Sequence, residues 1–196
     1  MAKDWTGSED SIFKTLGASN HTKEDREEND YYATEPKAVE LLLAEEKFSK
    51  NILEPMCGEG HISKILEAHG YNVTSFDIID RKYGSVQDFF SYDKQNEDID
   101  IITNPAYKFA LEAVKKALDV VANGHKVAMF LKLSFLEGKA RKPFFLENPP
   151  KVIYVSSSRL VCAKNGKFKG QGSAVAYAWF VWIKGFKGDP IIKWIN

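Results

Sequence analysis

The tetrad Asn104-Pro105-Ala106-Tyr107 directly follows the apolar run Ile99-Asp100-Ile101-Ile102-Thr103. A strand that stops on such a tetrad presents an amide side chain, a proline carbonyl and an aromatic face at one point. That trio suits a flat, weakly nucleophilic amino group, with two acceptors for its hydrogens and one ring to stack on. Upstream, Glu54-Pro55-Met56-Cys57-Gly58-Glu59-Gly60 reads as a strand end running into a glycine turn. Glycines there let the backbone bend sharply and approach a ligand closely. Ser63 stands where a dinucleotide fingerprint has its third glycine, and no Lys-Ser/Thr ending of a P-loop follows. A dinucleotide or a triphosphate is therefore disfavoured. Asp77, seventeen residues past Gly60, is placed to accept hydrogen bonds from two ribose hydroxyls. These residues imply an enzyme that binds a nucleoside-like cofactor and transfers a group to nitrogen.

Such residues need strand ends to hold them. The spacing predicts strands over 51–55, 72–76, 85–89, 99–103, 126–133, 152–155 and 175–183. Helices are predicted from Pro36, over 61–69 ending at Gly70, and over 109–122 with Leu111, Val114, Leu118 and Val121 buried. Alternating strands and helices predict an α/β fold: a Rossmann-like, seven-stranded, mostly parallel sheet with helices on both faces. No long helix separates the last two strands, so the final strand is expected to be antiparallel. Residues 1–30 read as a polar N-terminal arm and residues 31–196 as a single domain. Ligands in such sheets sit outside the carboxyl ends of the strands, where the informative residues all fall.

Composition narrows the class. In 196 residues, 27 basic and 27 acidic side chains cancel, so no global field points to nucleic acid or membrane. Cys57 and Cys162 are far apart, which argues against a disulfide framework or zinc knuckle and suits a reducing, cytoplasmic setting. His21, His61, His69 and His125 lack metal-ligand spacing, so no metal is expected and they read as structural or surface residues. No signal core or membrane span is visible. The charge is unevenly distributed: residues 132–170 hold nine Lys or Arg against Glu137 and Glu147 alone. A basic stretch downstream of the tetrad strand is where a polyanion would dock.

The chain resembles a class I methyltransferase that uses S-adenosylmethionine, and more narrowly the amino-methyltransferase branch with an Asn-Pro-Pro-Tyr signature, to which DNA N6-adenine methyltransferases belong. Tyr32-Ala33-Thr34-Glu35-Pro36 is similar to that family's first cofactor motif, and the resemblance implies that Tyr32, Thr34 and Pro36 meet the methionine end. Glu54, Pro55, Gly58 and Gly60 resemble its glycine loop, Asp77 its ribose-binding acid (Asp80 a weaker match), and Asp88-Phe89 its adenine-binding element. Asn104, Pro105 and Tyr107 match the catalytic tetrad, whose side-chain oxygen and proline carbonyl accept the amine hydrogens while the aromatic stacks on the base. Ala106 departs from the pattern, which has a second proline there.

Within that branch, asparagine at the first position implies adenine N6 as the acceptor, in DNA more than in RNA. The same tetrad also serves enzymes that methylate glutamine side chains, and a non-catalytic cofactor-binding module of the same fold is a third possibility. No separate recognition domain follows the last predicted strand. The elements left to read a substrate are the acidic arm, Lys139-Ala140-Arg141-Lys142, and the loop between the last two strands with Arg159, Lys164, Lys167, Phe168 and Lys169. Basic residues around an aromatic suit a flipped or single-stranded base. Trp179, Trp182 and Trp194 read as packing residues.

Overall fold

The computed structural model describes residues 32–160, 162–163 and 175–196. The arm expected over 1–30 and the loop residues Lys164, Lys167, Phe168 and Lys169 lie outside the described residues. In chain order the elements are β1 (Ala33–Thr34), α1 (Pro36–Glu45), β2 (Asn51–Glu54), α2 (His61–Ala68), β3 (Asn72–Asp77) and β4 (Ser85–Val86). There follow β5 (Asp100–Thr103), α3 (Ala110–Val120), β6 (Lys126–Lys132), α4 (Lys142–Glu147), β7 (Val152–Ser156), β8 (Cys162–Ala163), β9 (Tyr177–Ile183) and β10 (Ile191–Ile195).

The α/β fold and the mostly parallel sheet expected from the sequence are present, but the sheet has eight strands, in the order β10-β7-β9-β6-β5-β2-β3-β4. Strand β9 runs antiparallel to both neighbours, β6 and β7, and the remaining pairings are parallel. Alternate residues of each strand feed two separate cores. Leu53, Ile101, Val127, Met129, Phe180 and Trp182 pack with α3 and α4 on one face. Ile52, Ile102, Ala128, Phe130, Trp179 and Val181 pack with α1 and α2 on the other. Strands buried on both faces are therefore apolar without alternation, which is why they are conspicuous in the sequence. The ring nitrogen of Trp179 donates to the Ala38 carbonyl at 2.7 Å and ties β9 to α1.

Three features correct the expected layout. The eighth strand, β10, lies parallel to β7 in the register Ile191↔Val152 to Ile195↔Ser156. As an edge strand it has one neighbour, and Trp194, expected in the core, is 69% exposed. A separate two-stranded ribbon joins β1 to β8, with Ala33 opposite Ala163. The strand expected over 85–89 shrinks to Ser85–Val86. Beyond it, the Asp88 carboxylate accepts from Phe90 N at 2.9 Å and turns Phe89–Ser91 into a 3₁₀ turn.

At the amino ends of the strands, the buried Asp100 carboxylate accepts from Ser49 N at 2.6 Å and Lys126 N at 2.7 Å. The His125 ring bridges Asp98 at 2.7 Å and Asp100 at 2.9 Å, which is a structural role. Replacing Trp179 with Phe keeps most of the buried ring but removes the donor to Ala38. The variant should unfold with a free energy lower by about 1–3 kcal/mol and an unchanged denaturant slope, measured by urea denaturation.

Candidate active site

A cavity of about 560 Å³ opens at the carboxyl ends of β2, β3 and β5. That volume falls in the usual range for a small-molecule or cofactor site, about 300–1,000 Å³. Its walls include Tyr32, Pro55, Asp77, Asp88, Phe89 and the whole tetrad from Asn104 to Tyr107. Residues from five separate stretches of chain thus converge on one space, because parallel strands all present their carboxyl ends on the same side.

The tetrad leaves β5 and runs into a short 3₁₀ turn, Tyr107–Phe109. The Asn104 amide nitrogen donates to the Tyr32 carbonyl at 2.9 Å and to the Thr34 hydroxyl at 3.0 Å. Both amide hydrogens are thus directed at β1 and the residue before it, which fixes which end of the amide carries the oxygen. The Tyr107 ring stacks against Tyr32 at 5.8 Å between centroids, and Tyr177 lies on it at 5.9 Å. Ala106 has φ −55°, within the range a pyrrolidine ring imposes, and its carbonyl accepts from Phe109 N at 2.9 Å. The backbone therefore already holds the shape that a proline at this position would have.

The glycine loop is shaped from both sides. Gly58 and Gly60 have φ of +54° and +77°, which other residues reach only with strain. A Cβ on Gly60 would also lie 2.4 Å from the Tyr83 ring. The Asp77 carboxylate accepts from Gly58 N at 2.9 Å and from Ile79 N at 3.0 Å, pinning the loops after β2 and β3 to each other. Those two bonds use about half of the lone-pair sites of a carboxylate, so each oxygen can also accept a ligand hydroxyl.

Glu54 behaves differently. Its carboxyl is 1% exposed and accepts from Ser63 N at 2.8 Å and from the Ser63 hydroxyl, which also meets the Ser75 hydroxyl at 2.6 Å. Burial pushes its pKa up from 4.5 to about 8, against the lowering effect of the two Ser63 hydrogen bonds. Burial likewise raises the Cys57 thiol to about 12, which keeps it protonated and inert.

Of the cofactor residues expected from the sequence, Tyr32, Pro55, Asp77, Asp88 and Phe89 line the cavity. Thr34, Pro36, Glu54, Gly58 and Gly60 stand behind it: Thr34 holds Asn104, Pro36 opens α1, Glu54 anchors the start of α2, and the glycines shape the loop. Arg159 is exposed three residues beyond β7 and does not line the cavity. Sequence reasoning missed Met56, Ile78, Arg81, Phe90, Phe109 and Glu112, which also line it. Ile78, Phe90 and Phe109 are respectively 63%, 41% and 44% exposed, an apolar lip on three loops. Their signal was proximity to Asp77, Phe89 and Tyr107, but loop side chains follow no periodicity that would single them out. Among the described residues no group of His, Cys, Asp and Glu could hold a metal ion. No described helix is long and apolar enough to cross a membrane.

The sheet order and the carboxyl-end cavity define a class I S-adenosylmethionine-dependent methyltransferase fold, and solved structures agree. A putative class I methyltransferase from Listeria monocytogenes superposes with a TM-score of 0.56 at 11% identity, over 92% of this chain and 69% of that one. A putative RNA methyltransferase from Pyrococcus horikoshii gives 0.54 at 11% identity, over 91% and 98%. A modification subunit of a putative type I restriction enzyme from Vibrio vulnificus gives 0.56 at 11% identity, and this chain spans 49% of its length. The chain belongs to the family of the tellurite resistance protein TehB, whose sequence profile it matches over residues 21–141. No curated protein matches it significantly. S-adenosylmethionine, the cofactor expected from the sequence, is the cofactor of this fold class.

Two outcomes follow from the geometry. Ala106→Pro should leave the fold intact and raise stability by about 0.4–1 kcal/mol, read from the urea midpoint, because only the unfolded chain loses freedom. The raised pKa of Glu54 contributes stability that is fully present below the unfolded value of 4.5 and is lost as pH rises through about 8. Glu54→Gln, which mimics the protonated form, should flatten that fall. Melting temperatures of both proteins between pH 5 and pH 9 test it, and parallel curves would count against a neutral Glu54.

Proposed function

We propose that the protein is an S-adenosylmethionine-dependent N-methyltransferase whose acceptor is the N6 amino group of adenine in DNA or RNA. The observation that carries this reading is the Asn104 amide, oriented by Tyr32 and Thr34 at the end of β5, beside Tyr107 and on the wall of the cavity. The residues present fit the cofactor: Asp77 offers carboxylate oxygens to ribose hydroxyls, Ile78 and Phe89 offer apolar surface to a purine, and Pro55 lines the same cavity. When bound, the cofactor supplies the methyl group on an activated sulfonium.

The chain's own residues then have to prepare a poor nucleophile. An exocyclic amine gives its lone pair to the purine ring. The Asn104 side-chain oxygen and the Pro105 carbonyl accept its two hydrogens and favour a pyramidal nitrogen with the lone pair directed at the methyl group. Tyr107 supports the base, and the apolar lip of Ile78, Phe90 and Phe109 keeps water from the reacting atoms. The tetrad needs no histidine. The nine basic residues against two acidic ones over 132–170 support a polyanionic acceptor. A second reading comes from the family description, which names tellurite resistance: a small oxyanion as the acceptor.

Methyl-labelled cofactor, offered with DNA, RNA, a protein extract or tellurite, distinguishes these acceptors. Adenine labelling is expected. Labelling of glutamine or of tellurite alone would displace the base reading. Asn104→Ala should lower kcat by about 10²–10³ while the affinity for S-adenosylhomocysteine changes little, because the lost acceptor acts in the chemical step. Asp77→Ala should instead weaken S-adenosylhomocysteine binding by about tenfold or more in calorimetry, from the loss of charged hydrogen bonds.

A further inference from the structure

The Tyr107 ring, which the reading above assigns to the acceptor base, already has a cation on it. Lys132 Nζ lies 4.5 Å from the ring centroid. Lys132 is the last residue of β6 and pairs in register with Tyr177, whose ring also touches Tyr107. Three residues earlier Met129 is still opposite Thr103 of β5, so the β6 strand carries Lys132 past the end of β5 to the level of the tetrad. Among the described residues no carboxylate pairs with Lys132, whereas Lys126, at the other end of the same strand, is held by Glu46 at 2.5 Å.

A stacked base and an ammonium on the same ring exclude each other where they overlap. Where the base stacks on the face that the ammonium covers, the cation moves aside, and its flexible stem allows that movement without a backbone shift. The acceptor it would meet is a polyanion. A hydrogen bond from an ammonium to a phosphate oxygen is stronger than a cation–π contact at a half-exposed ring, so the exchange is favourable. We propose that Lys132 is a phosphate ligand for the nucleotide that carries the acceptor base, and that it rests on Tyr107 until the base takes its place. This rests on the nucleic-acid reading given above and names the residue that couples backbone binding to base insertion. It also accounts for a lysine, whose point charge needs no fixed approach, rather than a bidentate arginine.

The test is a salt titration of the binding of a single-stranded oligonucleotide with one adenine, using the full chain and its Lys132→Met and Lys132→Arg variants. One lost phosphate contact removes about 0.7 units from the slope of log affinity against log salt for a single strand. Between 50 and 200 mM salt, the unaltered protein should therefore lose about 2.6-fold more affinity than Lys132→Met. Lys132→Arg keeps the charge and should keep the slope, which a packing role for Lys132 would not require. Equal slopes for the unaltered protein and Lys132→Met would overturn the assignment while leaving the acceptor reading in place. If the unaltered protein binds no nucleic acid, the acceptor reading falls and takes this one with it.

Discussion

Both hydrogens of the Asn104 amide are committed to a short extended segment about seventy residues upstream, and the arrangement of the site depends on that commitment. An amide on a loop can turn over, and turning it would exchange acceptor for donor. Here the Tyr32 carbonyl and Thr34 hydroxyl permit one orientation. The same segment continues into β1, which pairs with β8, and into α1, whose Ala38 carbonyl is held by Trp179. The tetrad is thus braced by the ribbon, the helix and the sheet together.

The cofactor side holds two carboxyl groups in one motif region in opposite surroundings. Asp77 sits on the cavity wall and accepts two backbone hydrogens, which joins two loops. Glu54 is buried, and the cost of stripping water from it outweighs its bonds from Ser63. A hydrogen-bonded acid side chain on the cavity wall and a buried, neutral one behind it give the loop a polar front and a rigid back.

The parts legible in the sequence were those with a strong local cause. Strands β2, β5, β6 and β9 are buried on both faces, and their apolar runs stand out against polar turns. Asp77 and the tetrad were legible because strand ends fix where they point. The ribbon of β1 and β8 was not, since two residues paired with two others about 130 positions away carry no periodicity. Strand β10 was missed because an edge strand buries little: of its apolar residues only Ile195 is buried, so Ile191-Ile192-Lys193-Trp194 reads as a tail. The apolar lip, on loops, leaves no pattern either.

The place of β9 has a consequence for how the chain reaches this state. It comes late in the chain, yet it fills the gap between β6 and β7 in the interior of the sheet. Until it arrives, β6 is an open edge of the sheet, and β7, whose other neighbour β10 comes later still, has no strand to pair with. Contacts of such wide sequence separation form slowly, and exposed edges invite pairing with other chains. During synthesis the nascent protein must therefore wait with an open edge at β6 and an unpaired β7, and the interval before residues 177–183 leave the ribosome is when it is most exposed to misassembly.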